Sequence, residues 1–148
     1  MNPEFMLKAI EYAKQSGEDV PVGCVVVKDG QIISFGVNER EKTNKITSHA
    51  EIVAIEKASE VLNSWKLSGC EIYVTLEPCP MCAGAILQSQ INTVCFGAYD
   101  SVYGAFGSKV DMREIMNLKS VKVFGGIMEE DCRGIIRDFF GKMRGKND

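Results

Sequence analysis

Hydrophobic residues in this chain change their spacing several times, and each change predicts a different element. Between residues 6 and 13, apolar side chains recur at every third or fourth position, which is the spacing of an amphipathic helix. Asn2-Pro3-Glu4 supplies a cap, a proline for the first turn and an acid at the positive end of the helix dipole. Gly17 is predicted to end this helix.

Two short apolar segments follow, at residues 22–28 and 31–35. The Asp29-Gly30 pair between them favours a two-residue turn, because both residues accept the positive φ angles of a type I′ hairpin. The chain is therefore predicted to continue from its first helix into an antiparallel β-hairpin.

Beyond residue 48 the pattern alternates between helices and strands. Helices are predicted over 49–62, 79–88 and 129–144, and strands over 72–76, 93–97 and 121–124. Such an alternation favours a mostly parallel sheet with helices on both faces, and so the α/β class. A charged loop is predicted at 39–45 and an aromatic, Gly-containing loop at 98–108. No repeat or linker interrupts the pattern, so residues 1–148 are predicted to form a single domain.

Composition and charge limit the classes of protein to which this chain can belong. The 148 residues are 45% hydrophobic and 25% charged, as is usual for a soluble globular domain. No apolar run approaches the roughly 20 residues of a membrane helix, and the start lacks a signal-peptide core, so we expect a cytoplasmic protein without a membrane partner. The net charge of −3 argues against nonspecific coating of nucleic acid. This net charge is still compatible with a local basic patch that binds a short RNA loop.

Only one pair among the six cysteines has the spacing of metal ligands, Cys79 and Cys82. Three residues apart at a helix start, they project from nearly the same face. Pro80 suits the first turn, so Cys79 is predicted to be the cap, and the positive helix end is expected to lower both thiol pKa values. The alternatives are ordinary core cysteines or a redox C-x-x-C motif. Cys24, Cys95 and Cys132 lie among apolar neighbours and are predicted to be buried.

His49 is the only histidine in the chain, and it opens a predicted helix behind Ser48, a candidate cap. A single histidine is more often a surface or core residue than a ligand. Together with Cys79 and Cys82, however, it supplies three zinc ligands and leaves the fourth position open, which is the pattern of a catalytic rather than a structural site.

Glu51 stands two residues beyond His49 and has two interpretations. In the first, Ser48-His49-Ala50-Glu51 forms a capping box and the carboxylate bonds to the cap N–H. In the second, the helix start lets both His49 and Glu51 reach one zinc-activated water. Glu51 would then take the proton of the water and pass it to a leaving group. That chemistry suits attack of hydroxide on an electron-poor ring carbon, followed by loss of ammonia.

His49-Ala50-Glu51 followed by Glu77-Pro78-Cys79-Pro80-Met81-Cys82 resembles the signature of the zinc-dependent cytidine deaminase-like superfamily. Within it, the chain is similar to the bacterial tRNA-specific adenosine deaminases. The resemblance spans nearly the whole chain and is supported by segments at 20–23, 36–38, 73–79, 82–85, 96–98, 104–108 and 138–140.

This resemblance implies a three-layer α/β/α sandwich around a five-stranded mixed sheet, with the antiparallel hairpin first and parallel strands after it. It implies a homodimer with one Zn²⁺ per subunit, held by His49, Cys79 and Cys82, and Glu51 as the proton shuttle. The implied reaction is hydrolytic deamination of adenosine to inosine at the wobble position of the tRNA anticodon loop.

The resemblance also implies contacts with the substrate. Asn38 matches an asparagine that contacts the target nucleoside, and the backbone N–H groups of Ala50 and Cys79 would help to place the base. Asp100 matches a position near the flanking nucleotides. The alternatives are a turn residue for Asn38 and a solvated loop acid for Asp100. Tyr99 departs from the basic residue that relatives often carry, and a tyrosine could stack on an exposed base there.

Three classes of function stay open at this stage. The Gly-Ala-Phe-Gly-Ser loop, the Phe-Phe pair and a basic end helix favour tRNA; the basic residues are Arg133, Arg137, Lys142, Arg144 and Lys146. A solvated helix face would explain the same charges. The second class is a deaminase of free bases or nucleotides, with guanine first. The third is a non-catalytic binding domain stabilised by zinc, which leaves the open ligand position and Glu51 unexplained.

Overall fold

The computed structural model describes residues 1–147 and contains one five-stranded sheet. Its strands are β1 (Gly23–Lys28), β2 (Gln31–Val37), β3 (Cys70–Leu76), β4 (Thr93–Ala98) and β5 (Lys122–Phe124). They lie in the order β2-β1-β3-β4-β5. β1 is antiparallel to both β2 and β3, whereas β3, β4 and β5 are parallel. The predicted mixed sheet, with its antiparallel hairpin followed by parallel strands, is confirmed.

Helices cover both faces of this sheet. The helices are α1 (Pro3–Ala13), α2 (Arg40–Thr43), α3 (Ala50–Leu62), α4 (Pro80–Gln88), α5 (Met112–Ile115) and α6 (Glu129–Asn147). α1 and α6 pack on one face, and α3 and α4 pack on the other. The three-layer α/β/α arrangement is therefore confirmed. Within residues 1–147, no helix combines the length and the apolar character that a membrane crossing needs.

The alternation of side chains along β1 shows how one strand serves both layers. Cys24 and Val26 join the cluster beneath α3 and α4, whereas Val25 and Val27 join the cluster beneath α1 and α6. All four side chains are fully buried. A strand covered on both faces is expected to be a continuous apolar run, as this one is.

The predicted turn and cap signals are confirmed at most positions. Asp29 and Gly30 have φ angles of 51° and 74°, as a type I′ hairpin turn requires. The side chain of Asn2 accepts a hydrogen bond from the Glu4 N–H at 2.9 Å and caps α1. The helix ends at Ala13, however, and not at the predicted Gly17.

Two single-turn helices, α2 and α5, were not predicted from the sequence. α2 lies within the charged segment 39–45, and its backbone N–H groups at Glu41 and Lys42 donate to the buried carboxylate of Asp19. α5 begins at Met112, and its cap residue Asp111 accepts a side-chain hydrogen bond from the Arg113 N–H. The cap of α2 comes from about twenty residues earlier in the chain, so no local pattern predicts it.

Gly36 brings β2 into direct contact with the backbone of α3. A Cβ added at this glycine would lie 2.1 Å from the carbonyl oxygen of Ala50 and 2.7 Å from the nitrogen of Ala54. Real Cβ atoms do not approach backbone so closely, so only glycine fits here without moving the helix. The contact lies at the first turn of α3 and therefore positions that end of the helix.

We expect Gly36→Ala to lower the free energy of unfolding by about 1–3 kcal/mol, because the added methyl group overpacks a backbone contact. Gly141→Ala is the matched control, since a Cβ at this exposed position in α6 meets nothing within 4 Å. The control is expected to raise stability by about 0.5–1 kcal/mol through helix propensity. Urea unfolding measures both variants, and equal changes would contradict the assigned contact.

Candidate active site

Two helix starts meet at the carboxyl end of β3. His49 is the cap residue of α3 and Cys79 is the cap residue of α4, as predicted for Cys79. Both have extended backbone angles, and neither side chain makes a capping hydrogen bond. The candidate cap at Ser48 and the capping-box interpretation of Glu51 are therefore wrong, because the helix begins one residue later than a Ser48 cap requires. Glu51 is left without a capping role.

Three side chains converge between these helix starts with the geometry of a zinc site. Their ligand atoms lie within 4.8 Å of one another. His49 Nδ1 is 3.8 Å from Cys79 Sγ and 3.5 Å from Cys82 Sγ. Zn–N bonds of about 2.0–2.1 Å and Zn–S bonds of about 2.3 Å at tetrahedral angles place nitrogen and sulfur about 3.6 Å apart. The residues thus fit a zinc ion and supply three of its four ligands.

The pKa values of the Cys79 and Cys82 thiols shift in opposite directions. The hydrogen bond from Cys82 lowers the pKa of Cys79 to about 4, and a bond with His49 acts in the same direction against the effect of burial. The pKa of Cys82 is raised, because it donates to Cys79 and is buried near Glu51. The expectation that the helix start lowers both values is therefore wrong for Cys82. Cys79 is a thiolate at neutral pH, the form that binds zinc.

Glu51 is a buried carboxyl beside this cluster, with only 4% of its surface exposed. Burial raises its pKa to about 7, and the negative charge of Cys79 adds to the rise; a backbone hydrogen bond and His49 oppose it. The pKa of His49 is also raised, chiefly by its hydrogen bond with Cys79. A carboxyl that titrates near neutrality can both accept and release a proton under physiological conditions.

An open cavity of about 900 Å³ lies above the cluster. His49, Ala50, Glu51 and Cys79 form part of its wall. The remaining lining comes from the segment before β1, the carboxyl ends of β2, β3 and β4 with the loops that follow them, the start of α4, and α6. Six large apolar side chains of this lining are solvent-exposed: Ile46, Met81, Tyr99, Val102, Tyr103 and Phe140. The cavity thus combines a polar metal-ligand cluster with an exposed apolar rim.

Asn38 lines the cavity and also holds a turn together. Its amide nitrogen donates to the carbonyl of Val20 at 3.1 Å, and its side-chain oxygen accepts from the Arg40 N–H at 3.2 Å. Ala50 is the first residue of α3, so its N–H has no acceptor within the helix. Arg40, which the sequence placed in an ordinary charged loop, lines the same cavity.

Asp100 lies in the cavity lining within the 98–108 loop. One of its carboxylate oxygens accepts from the N–H groups of Val102 and Tyr103, at 3.0 and 3.1 Å. This bonding is typical of an Asx turn, and it fixes the tip of the loop. Asp100 therefore shapes the loop through one oxygen.

Glu77 is the residue at this site that the sequence analysis missed. Its side chain is only 2% exposed, and its carboxylate accepts hydrogen bonds from the 98–108 loop. The available signal was an acid directly after a buried strand, where a satisfied charge needs dedicated donors. Those donors lie more than twenty residues away, so local spacing does not reveal them.

Comparison with known proteins agrees with this geometry. Residues 1–98 match the family model described as the cytidine and deoxycytidylate deaminase zinc-binding region. The chain therefore belongs to the zinc-dependent cytidine and deoxycytidylate deaminase family. The predicted zinc cofactor is confirmed by this match together with the His49, Cys79 and Cys82 cluster.

Within that family, the chain is similar to tRNA-specific adenosine deaminases, as its sequence predicted. The tRNA-specific adenosine deaminase of Bacillus subtilis (strain 168) is 39% identical over 145 residues, which cover 96% of this chain and 90% of that protein. A solved structure from a study of A-to-I editing by tRNA:A34 deaminases at the wobble position of transfer RNA has a TM-score of 0.82. It is 36% identical and covers 90% of this chain and 99% of its own.

A guanine deaminase from Bacillus subtilis is also similar. It is 42% identical with a TM-score of 0.64, over 67% of this chain and 66% of that chain. Relatives of this chain are thus named for action on different substrates, tRNA and guanine.

We expect Cys82→Ala to lose bound zinc, because it removes one of three ligands, and to unfold at a lower temperature. Cys95→Ala is the matched control, since Cys95 is equally buried but packs on the opposite face of the sheet. Elemental analysis should find about one zinc per chain in the control and almost none in Cys82→Ala. Unchanged metal content in Cys82→Ala would show that Cys82 is not a ligand.

Proposed function

We propose that this chain deaminates adenosine to inosine at the wobble position of a tRNA anticodon, by hydrolysis. The observation that carries the proposal is the buried carboxyl of Glu51, with its pKa raised to about 7, beside a three-ligand zinc cluster in an open cavity. The similarity to tRNA-specific adenosine deaminases over nearly the whole chain supports the choice of substrate.

His49, Cys79 and Cys82 would hold the zinc ion, which lowers the pKa of water toward neutrality when bound. Glu51 takes a proton from the attacking water and delivers a proton to the departing amino group, which leaves as ammonia. Its burial makes this exchange possible, because a solvated carboxyl near pKa 4 would release a proton readily but would accept one poorly at neutral pH.

Three further residues would place the nucleoside. The Asn38 amide uses one N–H and one oxygen lone pair within its turn, so the other N–H and lone pair remain for a substrate. The N–H of Ala50 points out of the start of α3 beside His49. Asp100 has a second carboxylate oxygen beyond the one that holds the loop tip. We assign these groups to the target nucleoside and its neighbours.

The rim of the cavity suits an RNA loop with splayed bases. Tyr99 and Tyr103 are exposed aromatic rings on which such bases can stack. Arg137, Lys142 and Arg144 are exposed on α6 and can contact phosphates. Arg133 already bonds to Glu129 and Glu130, so its charge is largely compensated. The side chain of Lys146 lies outside the described residues.

Guanine is the second candidate substrate. The observation in its favour is the 42% identity with a guanine deaminase over two thirds of this chain. Release of ammonia from free guanine by the purified protein tests this alternative. Activity on guanine together with none on an anticodon stem-loop would replace the proposed function.

We also propose that residues 1–148 form a single deaminase domain, that the protein acts in the cytoplasm, and that it is a homodimer. The outer side of α4 supports the dimer, because Met81, Gly84 and Ala85 there remain partly exposed. These residues form a shallow groove with Ile52 of α3. Small side chains at such a surface allow a second backbone to approach closely.

Light scattering of the purified protein tests the dimer. The chain has a mass of 16.3 kDa, so the expected solution mass is about twice that value. A concentration-independent mass of one chain would contradict the proposed assembly, while leaving the chemistry of the site unaffected.

We expect Glu51→Ala to keep zinc and fold but to lower the deamination rate of an anticodon stem-loop by at least about 10²–10⁴, because the proton shuttle is lost. Glu60→Ala, an exposed position on the same helix, is the matched control and should retain full activity. Inosine is measured by mass spectrometry of the digested RNA. Equal rates for both variants would refute the assigned mechanism.

A further inference from the structure

We propose that Glu77 is a positioning residue that sets the 98–108 loop against the zinc centre. This inference rests on the proposed function, because the loop lines the cavity in which the substrate would bind. Glu77 itself would touch neither the metal nor the reacting base. Its role would be to decide how well the RNA on either side of the target nucleotide is held.

Both oxygens of the Glu77 carboxylate are saturated by hydrogen-bond donors from one loop. Oε1 accepts from the Asp100 N–H at 3.1 Å and from the hydroxyl of Ser108. Oε2 accepts from the N–H groups of Phe106 and Ser108, each at 3.1 Å. Four donors on a buried carboxylate offset the cost of removing its charge from water. These bonds span residues 100–108.

These bonds hold the two ends of the loop and leave its tip exposed. Asp100 lies before the tip, whereas Phe106 and Ser108 lie after it. Asp100 extends this bonding to the tip of the loop, because its own carboxylate accepts hydrogen bonds from the N–H groups of Val102 and Tyr103. The side chains of Val102 and Tyr103 project into solvent at the cavity rim. The position of the tip thus depends on a chain of hydrogen bonds that begins at Glu77.

The same residue connects the loop to the metal cluster. Glu77 lies two positions before Cys79, and its N–H donates to the Ala98 carbonyl at 2.8 Å. The carbonyl of Pro78 accepts from the Ala105 N–H at 2.8 Å. The loop is therefore bonded to the two residues that directly precede a zinc ligand. Gly104 allows this contact, because a Cβ there would lie 2.4 Å from the Glu77 carboxyl carbon.

A carboxylate suits this position because three of its four partners are backbone N–H groups, which can only donate. An ionised carboxylate only accepts hydrogen bonds, whereas the amide of glutamine has one acceptor oxygen and one donating NH₂ group. A glutamine NH₂ group in place of Oε1 would face the Asp100 N–H, and one in place of Oε2 would face the N–H groups of Phe106 and Ser108. Glu77→Gln is therefore expected to release one end of the loop while changing side-chain volume very little.

The kinetics of zinc-loaded Glu77→Gln on an anticodon stem-loop test the proposal. The KM is expected to rise roughly tenfold or more, the size expected for a lost charged hydrogen bond, while kcat stays within about threefold. Zinc content is expected to remain unchanged. Glu60→Gln is the matched control and should leave both constants unchanged. A role confined to fold stability would not produce a selective rise in KM.

A milder variant keeps the test decisive if Glu77→Gln fails to fold. Ser108→Ala removes only the hydroxyl donor and leaves three bonds in place, so we expect a smaller KM rise of about threefold. An unchanged KM in folded, zinc-loaded Glu77→Gln would overturn the proposal. If that variant does not fold, an unchanged KM in Ser108→Ala would overturn it instead.

Hydrogen exchange separates failure of this inference from failure of the proposed function. The amides of Asp100, Phe106 and Ser108 are expected to exchange faster in Glu77→Gln, or in Ser108→Ala if only that variant folds, than in the wild-type protein. This readout needs no substrate. Wild-type protein inactive on the stem-loop would refute the proposed function, whereas unchanged amide exchange would refute the positioning role of Glu77.

Discussion

The site depends on one constraint, the meeting of two helix starts whose cap residues direct their side chains toward each other. His49 and Cys79 both have extended backbone angles, and their side chains point toward each other across the carboxyl end of the sheet. Cys82 follows one turn into α4 and completes the set of ligands. Gly36 sustains this arrangement by allowing β2 to contact α3 at backbone distance. The metal centre is thus a consequence of how the sheet and its covering helices pack.

Burial also raises the pKa of the carboxyl at this site. Glu51 has almost no exposed surface and lies close to the charge of Cys79, which raises its pKa to about 7. Cys79 shifts the other way, because Cys82 and His49 donate hydrogen bonds to its thiolate. The Glu51 carboxyl and the Cys79 thiol therefore titrate at different pH values, which is typical of sites that transfer protons. An ionised, buried Glu51 opposes stability, so the site is maintained by the packing of the domain around it.

The sequence predicted the mixed sheet, the hairpin turn and the zinc ligands, because each rests on local spacing or on a specific motif. It did not predict the cap that Asp19 provides to α2, nor the bonding of Glu77 to the 98–108 loop. Both involve partners distant in the chain that only the folded sheet brings together. The lowered pKa expected for Cys82 was wrong for a related reason. The helix start favours thiolates in general, but only the geometry shows which thiol keeps the proton.

The chemistry of the site and its choice of substrate are separate properties of the molecule. Relatives of this chain are named for action on tRNA and on guanine, so membership of the family does not by itself determine the substrate. Mass-spectrometric mapping of inosine in bulk tRNA incubated with the purified, zinc-loaded protein tests the choice of substrate most directly. The account predicts new inosine at the wobble adenosine of an anticodon and nowhere else. Absence of inosine, with ammonia released from free guanine instead, would contradict it.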